Sequence, residues 1–152
     1  MTTLVIVPCG KAKIWDKKSE LNFVAAKDAY TSTFFRLNRD YAYNFGDRWV
    51  ILSAKYGFID PDTMIEDYDI SFNNKKTNPV SKYVLKEQIL IQNLFQYNQI
   101  IGLGGDNYRR RISESFEDYQ VDIHFPFKDC AGIGHMQRAI KNSIQNKKSS
   151  IK

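Results

Sequence analysis

The run Leu4-Val5-Ile6-Val7-Pro8-Cys9-Gly10-Lys11 does most to limit what this chain can fold into. Four consecutive aliphatic residues without polar alternation suit a strand covered on both faces, as in the middle of a parallel sheet. Pro8 cannot donate a ladder hydrogen bond, so the strand is expected to end about there. The turn that follows presents the Cys9 thiol, the bare backbone of Gly10 and the ammonium groups of Lys11 and Lys13. Glycine lets a ligand approach the backbone closely, and lysine brings a point charge to the same place.

Two further apolar runs, Arg48–Leu52 and Gln99–Leu103, read as buried strands. Residues 120–125 alternate Val121, Ile123 and Phe125 with Asp122 and His124, the pattern of a half-exposed edge strand. Helical spacing lies between them. Ser32 caps a helix carrying Phe34, Phe35, Leu37, Tyr41, Ala42 and Phe45, with Gly46 as its stop. Ser81 caps a second, running to about Tyr97 with Val84, Leu85, Ile89, Leu94 and Phe95 inward. Gly104-Gly105-Asp106 opens a third, with Asp106 a possible N-cap, and Gly134 to about Gln145 forms the last. Residues 16–29 and 60–79 read as loops. Strands alternating with helices predict a single-domain α/β three-layer sandwich, with a mostly parallel sheet of at least four strands and helices on both faces. The domain is expected over 1–146, with a frayed basic tail at 147–152.

The chain has 22 Lys and Arg against 17 Asp and Glu, a net charge of +5. That balance points to an anionic partner, nucleic acid or nucleotide. No apolar stretch is long enough to span a bilayer, and Met1-Thr2-Thr3 lacks a basic signal-peptide start, so no membrane partner and a cytoplasmic location are expected. Two cysteines without a CxxC pair and two histidines without HxxxH spacing predict no disulfide framework and no metal site. No cofactor is implied, and the oligomeric state is left open.

Ligands of doubly wound sheets bind outside the carboxyl ends of the strands. Four strand exits are therefore expected to line one cleft, placing Cys9, Ser53, Gly104 and Phe127 near each other. Lys11, Lys13, Arg36, Lys55 and the amides of Gly104 and Gly105 are candidates for holding phosphate. Cys9, Gly10 and Ser53 are candidate lining residues, and Tyr56, Tyr68 and Tyr108 offer rings on which a base stacks. Neither GxGxxG nor a Walker A loop is present, so neither a dinucleotide nor ATP is inferred. Asp67 and Asp69 are the candidate catalytic carboxylates, while Glu66 reads as solvated. Cys9 would act as a nucleophile only with a histidine, His124 or His135, at its sulfur. A buried structural cysteine is the alternative.

Taken in order, these residues resemble a poorly characterised family of small bacterial and phage domains. The matching motifs are Pro8-Cys9-Gly10-Lys11-x-Lys13, Ala29-Tyr30-Thr31-Ser32-x-Phe34-Phe35-Arg36, Leu52 to Ile59 with Pro61, Tyr68-Asp69, Leu103-Gly104-Gly105-x-x-Tyr108 and Gly132-Ile133-Gly134. Ala54 to Pro61 with Tyr68 also resembles a segment of the YaaA peroxide-stress family, and Pro8 to Lys13 is similar to the start of a domain in archaeosine synthase. The first likeness implies association with DNA, although the helix-hairpin-helix insertion of that family has no counterpart here. The second implies work on a 7-deazaguanine base in tRNA. Together they imply base chemistry, here expected as cleavage of an N-glycosidic bond. A nucleic-acid- or nucleotide-binding protein without catalysis, in stress response or phage conflict, is the alternative.

Overall fold

The computed structural model describes residues 2–151, with side chains through Lys147. Every residue of β1 (Thr3–Pro8) is buried, as an unbroken aliphatic run requires. It is the middle strand of a five-stranded sheet ordered β4-β3-β1-β6-β7. β3 (Arg48–Ser53) and β6 (Gln99–Gly102) flank it in parallel, with Val5 opposite Trp49 on one side and Ile101 on the other. β7 (Asp122–His124) extends the parallel edge, and β4 (Gly57–Ile59) turns back antiparallel on β3.

The alternating side chains of β1 sort the two cores. Val5 and Val7 pack with Phe35, Tyr41 and Ala42 of α2 (Thr33–Phe45) and with Met136 and Ile140 of α5 (Ile133–Ile151). Leu4 and Ile6 pack with Leu85 and Ile89 of α3 (Lys82–Ile91) and with Ile112 of α4 (Asp106–Ser115). The result is the expected α/β three-layer sandwich. Ser32 and Ser81 cap α2 and α3, each accepting the amide three residues on. Asn38 is an exception inside the first core: it is fully buried on α2, and neither polar atom of its amide has a partner.

Several local expectations are corrected. α3 stops at Ile91, because Asn93 turns left-handed (φ 55°) and a short 3-10 turn, Leu94–Gln96, follows. Val84 faces solvent, and Phe95 stacks on Tyr119 rather than entering the core. The N-cap of α4 is Gly105, with Asp106 inside the first turn. The segments expected as loops hold a small second sheet, β2 (Val24–Ala25) against β5 (Met64–Ile65), and the one-turn helix α1 (Ala26–Ala29). Lys147 lies within α5, its Nζ 4.9 Å from the Phe45 ring centre, and the side chains of the remaining tail lie outside the described residues. Among the described residues, no helix is long and apolar enough to cross a membrane.

The β3–β4 hairpin is tied to α3 by one side chain. Gln88 accepts from the Phe58 amide at 2.8 Å and donates to the Tyr56 carbonyl at 2.9 Å. Gln88→Ala is expected to cost about 2 kcal/mol, since two backbone groups lose their partner at a part-buried position. Urea unfolding checks this, and an unchanged midpoint would mean that water replaces both bonds.

Candidate functional site

The site is set by topology. α2 leaves β1 on one face, while α3 and α4 cover the other, so the strand order reverses between β1 and β6. A crevice opens outside the carboxyl ends of strands at such a point. Gly10 stands there beside the capping Ser32, whose Oγ would lie 3.4 Å from a Cβ at that position. From α4, Tyr108 reaches across, its hydroxyl donating to the Cys9 carbonyl at 3.1 Å and lying 3.2 Å from Cys9 Sγ.

Two adjoining lobes occupy the crevice. The smaller, about 390 Å3, lies between the Cys9–Lys13 turn, Tyr108 and a strap over residues 69–77. The larger, about 710 Å3, is lined by Lys11, Ala12, Lys13, Asp16, Asp67, Tyr68 and Asp69. Both fall in the size range of small-molecule sites. Lys11, Lys13 and Asp69 line both lobes. The strap is clipped to α4: Phe72 packs edge-on against Tyr108, Arg111 lies 4.1 Å over the Phe72 ring, and the Asn107 and Asn73 side chains hydrogen-bond.

Beneath the lobes lies a buried chain of hydroxyls. Ser53 Oγ donates to the Tyr68 hydroxyl at 2.9 Å, and the hydroxyls of Tyr68 and Tyr30 are 2.6 Å apart. Ser53 Oγ in turn accepts the amides of Lys55 and Tyr56. Burial, followed by the neighbouring Cys9, pushes the phenols of Tyr30, Tyr68 and Tyr108 well above their ordinary value. They therefore remain protonated donors at any physiological pH. Lys13 Nζ sits 4.4 Å from the Tyr68 ring centre and donates to the Lys11 carbonyl at 3.2 Å. Tyr56 packs edge-on against Tyr68 and contacts the Glu66 backbone through its hydroxyl, fixing the start of the acidic segment.

Cys9, Gly10, Lys11, Lys13, Asp67, Tyr68, Asp69 and Tyr108 thus meet at one site, with Ser53 directly under it. Arg36 is exposed on α2 and Lys55 at the β3–β4 turn, its Nζ 5.0 Å from the Tyr56 ring centre, and neither lines a lobe. Gly104 and Gly105 stand at the same sheet edge without lining the lobes. Phe127 is buried against Tyr41 instead of facing the cleft. Tyr56 supports Tyr68 and does not line either lobe. The sulfur of Cys9 meets a phenol and not a histidine, His124 pairing instead with Asp122 and His135 being exposed. Tyr30 and the strap residues Ser71, Asn73, Asn74 and Thr77 were not anticipated from composition or spacing. Tyr30 does fall within the Ala29–Arg36 motif. Among the described residues no three His, Cys, Asp or Glu side chains are grouped so as to hold a metal ion.

Residues 4–142 match a family of unknown function, DUF6884, and the chain belongs to that family. It is 35% identical over 148 residues to an uncharacterized protein, YfjM, of Bacillus subtilis (strain 168), covering 97% of this chain and 98% of that protein. No solved structure matches it.

Proposed function

We propose that this protein processes a nucleobase-bearing ligand and acts as an N-glycosidase. The observation that carries the reading is Asp69. Its carboxylate has no hydrogen bond or ion pair among the described residues, and it lines both lobes together with Lys11 and Lys13. A carboxylate free of structural work beside ammonium groups and protonated phenols suits a reaction that separates charge.

In that reaction the bond between the sugar's anomeric carbon and the base nitrogen breaks, and its electron pair leaves with the base. Water adds to the anomeric carbon; one of its protons ends on the base and its hydroxyl on the sugar. Asp69 stabilises the positive sugar and orients the water, with Asp67 as the second carboxylate. Lys11 faces the negative charge on the departing base. The likenesses of Ala54–Pro61 with Tyr68 to the YaaA family, and of Pro8–Lys13 to archaeosine synthase, support a base-bearing ligand. Nucleic acid and free nucleotide are both within this reading, which uses no metal or organic cofactor.

The exposure of Asp69 favours a second reading, binding without turnover, because no neighbour holds the carboxylate in one orientation. Mass spectrometry of free base released from nucleosides, nucleotides and normal or modified DNA and RNA separates the two. Release from one class is expected. Tight binding with no release from any class would establish the binding protein instead.

A further inference from the structure

We infer that Lys13 is a phosphate seat, and that the ligand is a free mononucleotide rather than a base within a polymer. This inference rests on the base-processing reading for the word nucleotide, but the seat itself stands on the geometry of Lys13.

The Lys13 side chain is 6% exposed, yet Nζ has one hydrogen-bond partner, the Lys11 carbonyl, besides the Tyr68 ring. An ammonium carries three donors. No carboxylate makes an ion pair with it among the described residues. Removing an ammonium from water without a counter-ion is unfavourable, and proteins rarely leave a buried charge unpartnered. The same side chain lines both lobes. An anion that enters the crevice and accepts the two remaining donors would supply the missing partner, and a phosphate does so with charge-assisted bonds.

The rest of the lining decides what carries that phosphate. The larger lobe sets three carboxylates, Asp16, Asp67 and Asp69, against two ammoniums, Lys11 and Lys13. A polynucleotide would bring flanking phosphates against this net-negative rim, where each would be repelled. Lys75 and Lys76 stand on the strap and Arg111 packs on its Phe72, but none of the three lines either lobe. A single phosphate on the buried lysine, with sugar hydroxyls donating to the rim carboxylates, matches the observed distribution. The strap over 69–77, clipped to α4, walls the smaller lobe on one side.

The test uses Lys13→Met, which keeps the aliphatic stem and removes the charge. Thermal unfolding is recorded with and without inorganic phosphate. Equilibrium dialysis measures binding of nucleoside 5′-monophosphates, the matching nucleosides and single-stranded oligonucleotides. The unliganded variant is expected to melt no lower than the parent, since an unpaired buried charge is gone. The parent should be stabilised by phosphate and the variant not. The parent should hold monophosphates at least about tenfold tighter than nucleosides, the worth of one charge-assisted contact, and Lys13→Met should erase that gap. Phosphate stabilisation through Lys13 without nucleotide binding would keep the seat and overturn the nucleotide. Nucleotide binding that ignores the Lys13 substitution, or oligonucleotides bound tighter than monophosphates, would overturn this inference and leave base processing intact. If Lys13→Met fails to fold, Lys13→Gln carries the same comparison; collapse of both would make Lys13 a structural residue and overturn the seat.

Discussion

Asp69→Asn is expected to reduce the proposed base release by at least about 100-fold in kcat, while changing ligand affinity by less than about threefold. The reason is where the carboxylate charge is used. The neutral sugar of the bound ligand gains little from a nearby anion, whereas the cationic sugar of the transition state gains several kcal/mol in a partly enclosed site. Asparagine keeps the size and an acceptor oxygen but cannot offset that charge. Folding should not suffer, because Asp69 is exposed and makes no hydrogen bond or ion pair among the described residues. Asp67→Asn should cost less, since Asp67 lines the larger lobe alone. The measurement is single-turnover base release beside equilibrium binding for both variants. Full activity in Asp69→Asn would remove this residue from catalysis. A loss confined to affinity would make it a binding group.

The contrast between the central sheet and its surroundings shows what could be read in the sequence. β1, β3 and β6 each hold a consecutive aliphatic stretch whose burial is written in its own composition, and the caps Ser32 and Ser81 are local signals. The second sheet is different. Val24 and Ala25 pair with Ile65 and Met64 some 40 positions away, and two residues carry no periodicity to detect. The end of α3 is hidden for another reason: Leu94 and Phe95 continue the apolar spacing, and only the left-handed backbone of Asn93 breaks it.

The site follows the same division. Cys9, Gly10, Lys11 and Lys13 were legible because topology alone brings the end of a central parallel strand to the crevice. Lys13 and Lys55 looked alike as lysines beside strand-end glycines. One is buried over Tyr68 and the other lies in solvent beside Tyr56, because side-chain direction out of a turn depends on packing that the local sequence does not encode. The strap is illegible because most of its residues are ordinary turn formers; its place is set by the packing of its Phe72 against Tyr108 and Arg111 of α4.

Gly104→Ala is expected to destabilise the protein by about 3 kcal/mol, while Gly105→Ala, one residue on, costs less than about 1 kcal/mol. The two glycines read alike in sequence and differ in what surrounds them. Gly104 has φ +108°, a conformation that L residues rarely adopt, and a Cβ there would lie 2.9 Å from Pro8 Cβ and 3.3 Å from Tyr108 Cβ. Neither neighbour yields easily, since Pro8 is a rigid ring at the end of the buried central strand and Tyr108 is held by Cys9. Gly105 is the N-cap of α4 with an ordinary φ of −78°, and a Cβ there would meet nothing within 4 Å. For a domain of this length, 3 kcal/mol corresponds to a fall in Tm of about 6–12 °C. Because Pro8 leads directly into Cys9, Gly104→Ala should also weaken ligand binding in whatever fraction remains folded, whereas Gly105→Ala should bind as the parent does. Thermal unfolding of the pair checks the argument: equal losses of Tm at both positions would mean that the β6 exit does not press on Pro8, and that the crevice walls are set by other contacts.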